Sequence, residues 1–72
     1  IMPDLSQAEA QQIQYVGMME TGSERFGLVR VGERVYRVVP DMRIGRGQWR
    51  VLQFDAAKMQ VLINGQTVHY EK

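Results

Sequence analysis

The stretch QWRVLQFDAAKMQVLINGQTVHYE, residues 48–71, decides the fold. Asn64-Gly65 is a strong hairpin signal, because a type I′ turn needs positive φ at both central residues. That turn sets Ile63 against Gln66, Val61 against Val68 and Met59 against Tyr70. Leu62 then meets Thr67, Gln60 meets His69, and Lys58 meets Glu71. One face collects Met59, Val61, Ile63, Val68 and Tyr70. The other ends on an opposite-charge cross-strand pair. A type I turn over residues 55–58, with Asp55 first, folds the preceding strand back. It brings Phe54 beside Met59 and Leu52 beside Val61, on the same dry face. A one-residue slip in either turn would move these side chains to the wet face, so the two turns support each other. Leu52, Phe54, Val61 and Val68 are the expected core of this meander.

Working outward, residues 41–47 are irregular, with Met42, Ile44, Gly45 and Gly47. They read as a loop crossing between sheets, with Ile44 plugging the core. Pro40 ends the strand at residues 35–39, since proline lacks a ladder donor. A turn at Gly32-Glu33 joins that strand to another at residues 26–31. A two-residue turn would set Arg30 beside Val35, and a three-residue turn would set Val31 beside Val35. Upstream, residues 13–19 alternate Ile13, Tyr15, Gly17 and Met19 on one face with Val16 and Met18 on the other, so both faces are largely apolar. Centring the next turn on Gly22 sets Gly17 opposite Gly27, a thin spot in the sheet. Gly17 inside a strand also marks a candidate bulge. Residues 1–12 hold few large apolar side chains. They read as a linker tail or a short helix, with Ser6 and Glu9 spaced as a capping box.

Six short strands without a long helix make an all-β domain over residues 13–72. The expected architecture is a small β-sandwich of two antiparallel sheets, or a partly open barrel. At 72 residues the chain is one domain. A domain of that size buries roughly 60% of its unfolded surface, so its core is small. It opens on Ile1 and carries no leader or membrane-length apolar run, so it reads as a piece excised from a longer protein, with any anchor outside it.

The chain lacks cysteine and has a single histidine, His69. No disulfide or thiolate metal site can form, and His69 has no second histidine to share a metal. Ser6 and Ser23 lie in a tail and a turn without an evident base. The carboxylates are scattered, and Gly45-Arg46-Gly47 lacks the helix a phosphate loop needs. The expectation is a non-enzyme with no catalytic residue, metal or cofactor.

Net charge is +1, unevenly spread. Residues 1–24 carry four carboxylates and no base. Residues 25–50 carry seven arginines against Glu33 and Asp41, a surplus of five. Residues 51–72 balance. Clustered arginine marks either an anionic partner or the wet face of strands, and the wet face is the expectation here. Trp49, Val51, Leu62 and Thr67 gather at the Asn64-Gly65 end of the meander's polar face. They are expected to lie under the N-terminal segment or the crossing loop, with an exposed partner patch as the alternative.

The ordered motifs IQYVGMME, GLVRVGERVYRV, PDMRIGRGQWRVLQFD and KMQVLINGQTVHYEK resemble the homology region of the type II secretion C protein and the related PilP pilus-assembly proteins. The resemblance spans about residues 13–71. Pro40-Asp41 departs from the Gly-Asp common in that family, and no lipid-attachment cysteine is present. The resemblance implies a periplasmic β-sandwich of an inner-membrane-anchored protein, with the membrane reached only through an anchor outside this chain. It implies a connector without catalysis. The implied partners are the N-terminal periplasmic domain of an outer-membrane secretin and other inner-membrane assembly-platform proteins. Family binding through strand edges points to Ile13, Gln14, Tyr15, Val16 and Met18, with Arg30, Tyr36 and Arg37 as a polar rim. The competing resemblance is to an SH3-like KOW-type RNA-binding barrel, with Tyr36 and Trp49 among the arginines. The near absence of lysine and the acidic first third argue against nucleic acid as a partner.

Overall fold

A computed structural model describes residues 4–72. It is a β-sandwich of two antiparallel sheets that do not close into a barrel. The first sheet runs β1-β2-β3, with β1 Ile13–Thr21, β2 Glu24–Val31 and β3 Arg34–Val38. The second runs β4-β5-β6-β7, with β4 Arg43–Ile44, β5 Trp49–Phe54, β6 Lys58–Ile63 and β7 Gln66–Glu71. Six strands were expected; the seventh is the two-residue β4, formed inside the crossing loop.

The β6–β7 register is the expected one throughout, from Ile63 opposite Gln66 to Lys58 opposite Glu71. Asn64 and Gly65 both have positive φ, 51° and 80°, which suits a type I′ turn. The Asp55 carboxylate caps the other turn, accepting the N–H groups of Ala57 at 2.7 Å and Lys58 at 2.9 Å. Phe54 lies opposite Met59 as expected, but Val51, not Leu52, lies opposite Val61. A bulge at Leu52 takes up one residue between Val51 and Gln53 and inverts the alternation beyond it. Val51 is therefore fully buried and Leu52 only half-buried. Phe54 and Val68 are half-buried at the margin of the core.

The first sheet holds a second bulge. The turn is Gly22-Ser23, flanked by the pair Thr21 and Glu24, so Met18 faces Gly27 and Gly17 faces Leu28. The expected Gly17–Gly27 pairing does not form, and the thin spot with it. Beyond the bulge at Val16, Tyr15 faces Val29 and Ile13 faces Val31. Gly17 sits there at φ 150°, a conformation closed to side-chain-bearing residues. The extra residue turns Tyr15 and Met18 to the same, inner face. Met19 joins Val16 outside, where simple alternation would have put Met19 with Tyr15. The β2–β3 turn is the two-residue one, with Val31 opposite Arg34 and Arg30 opposite Val35.

The core between the sheets is built from Ile13, Tyr15, Val29, Val31 and Val38 on one side and Ile44, Val51, Met59, Val61 and Ile63 on the other. The crossing starts with a turn closed by the Met42 N–H on the Val39 carbonyl, 3.1 Å. Pro40 holds its second position, and Asp41, at φ 70°, its third. Proline second and positive φ third define a type II turn, the conformation that suits Asp or Gly there. Asp41 N–H and Met42 C=O then bond to Val51, at 2.8 and 2.9 Å, so the crossing is stitched to β5. Ile44 is fully buried, as a core plug should be.

Residues 4–12 form two 3-10 turns, Leu5–Gln7 and Ala10–Gln12, where a linker tail or one short helix was expected. Positions 1–3 of that expected segment lie outside the described residues. Leu5 and Ala8 are buried in the core. Leu5 and Ala8 carbonyls accept the N–H groups of Gly45 at 2.9 Å and Arg46 at 2.8 Å, and Glu9 pairs with Arg46 at 2.9 Å. The capping contact uses Gln12, whose side chain accepts the Glu9 N–H at 2.8 Å, while Ser6 bonds Asp4.

Candidate functional site

The first sheet is apolar on both faces. Its inner face packs into the sandwich. Register places Gln14, Arg30 and Val35 in one row across the outer face, Leu28 and Arg37 in the next beside Val16, and Met19 with Phe26 in the third. Val39 follows directly after β3. The exposed large apolar side chains among the described residues all belong to this region: Val35 at 54%, Val39 at 47%, Met19 at 46% and Val16 at 38%. Phe26 is buried under the Arg37 guanidinium, which lies 4.9 Å from its ring centroid. That cation–π contact holds the Arg37 guanidinium over the Phe26 ring and leaves its charge at the surface.

The polar members frame this patch. Arg30 reaches across to the Gln14 amide oxygen, at 2.6 and 3.2 Å. Ion pairs form between Arg46 and Glu9 and between Arg50 and Asp41; Arg30, Arg34 and Arg37 take part in neither. The face is thus apolar with a basic rim that no carboxylate pairs with among the described residues.

Of the residues expected to bind a partner, Gln14, Val16, Arg30 and Arg37 lie together on this outer face. Ile13 and Tyr15 point into the core, and only their backbone reaches the β1 edge. The Tyr15 hydroxyl donates to the Asp55 carbonyl across the sandwich; burial, then the Asp55 charge, pushes its pKa up. Met18 also faces inward, at the open end of the sandwich, where Arg25 Nε meets its sulfur. Tyr36 lies on the inner face opposite Val29, and its buried hydroxyl has no hydrogen-bond partner among the described residues. Sequence reasoning missed Met19, Leu28, Val35 and Val39. Val35 was legible: a two-residue turn at Gly32-Glu33 puts it beside Arg30 on the wet face. Met19 was not, because the bulge at Val16 reverses its direction.

The edges of this sheet differ. Along β1 the bulge interrupts the ladder, and the Lys72 side chain lies 3.8 Å from where a Cβ of Gly17 would stand. Along β3 the pairing to β2 is regular over all five residues.

Trp49 does not form an exposed patch with Val51, Leu62 and Thr67. Val51 is in the core, and the indole packs against Gly45 and Gly47 of the crossing loop, with the Ala8 carbonyl beside Gly45. His69 is exposed opposite Gln60 on the outer face of the second sheet. Among the described residues no three His, Asp or Glu side chains converge as a metal site would require, and no helix is long and apolar enough to cross a membrane.

No family model matches the sequence, and no curated protein matches it. Among solved structures the chain is similar to PilP from Pseudomonas aeruginosa, determined in solution. The TM-score is 0.71 and the identity 21%, over 100% of this chain and 68% of that one. At that identity the likeness establishes a shared fold, the PilP β-sandwich.

Proposed function

We propose that this domain is a non-catalytic periplasmic connector of a type IV pilus or type II secretion machine, and that it binds the N-terminal periplasmic domain of an outer-membrane secretin. The observation that carries the reading is the outer face of β1-β2-β3. A domain of this size has little apolar surface to spare, yet it leaves Val16 and Met19 exposed on the β1 side of that face. Clustered apolar exposure framed by polar groups marks a protein-docking surface. The motif resemblance and the shared PilP fold supply the machine to which such a connector would belong. The bulge at Val16 favours side-by-side packing on the β1 side over a long added strand. The interface is small and its affinity modest, as a domain offering few hundred square ångströms allows.

The test is titration of the isotope-labelled domain with the secretin domain from the same host, following backbone amide shifts. Shifts are expected at Gln14, Val16, Met19 and Leu28. Shifts confined to Trp49, Leu62 and Thr67, or none with any secretin domain of that host, would sink the reading. Single-stranded RNA, titrated at low and moderate salt, is the control for a nucleic-acid role.

A further inference from the structure

We infer that the free edge of β3 is a second, separate docking site, taking an extended acidic segment of a protein partner by strand addition. The site stands on its own, whichever partner occupies the β1 side.

The geometry starts from the Gly32-Glu33 turn. A two-residue turn makes its flanking residues, Val31 and Arg34, a hydrogen-bonded pair. Alternation then directs the N–H and C=O groups of Val35 and Arg37 away from β2. β3 ends its sheet, and neither residue has a backbone partner elsewhere among the described residues. Such an edge is a ready template for another strand. Unlike β1, it is unbulged over its five residues.

Side chains set what the template accepts. Val35, Arg37 and Val39 alternate onto the outer face, and Val35 and Val39 are the two most exposed large apolar residues described. Arg34 and Arg37 flank the edge with no acidic residue on β3, and Arg30 stands one strand behind. An added strand therefore gains most from the pattern apolar, any, acidic, any, apolar, with the acid beside Arg37. Where β3 ends, a groove of about 610 Å³ opens beside Pro40. It continues the same chemistry, with cations at Arg25 and Lys58 and the ring of Phe54. Its one carboxylate, Asp55, has Oδ1 engaged by two backbone N–H groups. The same charges rule against a second copy of this chain as occupant, since pairing two β3 edges would bring four arginines together.

The probe is a capped peptide, Thr-Val-Thr-Glu-Thr-Val-Thr, with a twin carrying Lys for Glu, each titrated into the isotope-labelled protein. The Glu peptide should shift residues 35–39 and slow hydrogen exchange of the Val35 and Arg37 amides. It should bind roughly fivefold or more tightly than its twin. Arg37→Glu should reverse that preference; should this variant not fold, the two peptides on the unaltered protein still decide. Equal affinity for the peptides, shifts at Gln14 to Met19 instead, no shifts at millimolar peptide, or self-association through β3 would each overturn the inference.

Discussion

The indole of Trp49 packs against Gly47, closer than any side chain at that glycine would allow. Gly45 makes the same contact from φ 78°, and the Ala8 carbonyl lies near by. The crossing loop, the N-terminal turns and β5 therefore meet at one ring. Gly47→Ala should force the indole aside at a cost of about 1–3 kcal/mol, the usual scale for overpacking. Urea unfolding monitored by Trp49 fluorescence reads both effects at once. An unchanged midpoint and spectrum would show that the loop yields freely.

The second prediction sets the bulged residue of β5 against a core residue of its partner strand β6. Met59 is fully buried in the core, and Met59→Ala should cost about 2–5 kcal/mol. Leu52 occupies the bulge and is half-buried, so Leu52→Ala should cost clearly less, on the order of 1 kcal/mol. Equal losses by chemical denaturation would place Leu52 back in the core.

These residues also mark what was readable in the sequence. Asn64-Gly65 fixes φ at both turn positions, so the six pairs from Ile63–Gln66 to Lys58–Glu71 follow from local chemistry alone. Leu52 and Met19 were misplaced because a bulge is a nonlocal compromise: it lets two strands with fixed turns both present apolar faces. Gly17 signals one bulge through its backbone freedom, whereas nothing in VLQF signals the other. The N-terminal turns were hidden for a similar reason. Leu5 and Ala8 are held by Gly45 and Arg46, about forty positions away, and no local pattern encodes that contact. The docking face was half legible: Val16 and Arg37 stood out, but the exposure of Met19 depended on the bulge.

Tyr36 supplies the third prediction. Among the described residues its hydroxyl is buried without a hydrogen-bond partner, a loss of hydration that they leave uncompensated. Tyr36→Phe should leave stability unchanged or raise it by up to about 1 kcal/mol. A loss above that size would reveal a hydrogen bond to the hydroxyl in solution.

Stability should fall off at both ends of the pH range. The Ala57 and Lys58 N–H groups hold the Asp55 carboxyl below its usual value. Its contribution is present above the unfolded value of about 3.9 and is lost as pH falls through the folded one. Burial pushes Tyr15 and Tyr70 the other way, above the usual phenol value. Their neutral forms favour folding, so that contribution is intact below about pH 10 and is lost above it, where the unfolded chain ionises first. Urea midpoints across the pH range should show a plateau between. Asp55→Asn should flatten the acid limb and Tyr70→Phe the alkaline limb; unaltered slopes in both variants would refute these assignments.

The last prediction tests the proposed secretin contact against the β3 site. Val16 is exposed at the bulge, on the outer face beside Leu28, with β2 between it and Arg37. Val16→Arg replaces a central apolar contact with a charge that docking would strip of water, so secretin-domain binding should be lost while circular dichroism stays unchanged. Arg37→Glu should weaken the same binding less, because a rim charge acts mainly on encounter. The acidic peptide should answer in the opposite order, sensitive to Arg37→Glu and indifferent to Val16→Arg, since Val16 lies across the sheet from the β3 edge. Calorimetric titration of both variants with both ligands gives four affinities. If Val16→Arg leaves secretin binding intact, the β1 side is not the docking face. If Arg37→Glu reduces both ligands equally, the two sites are one.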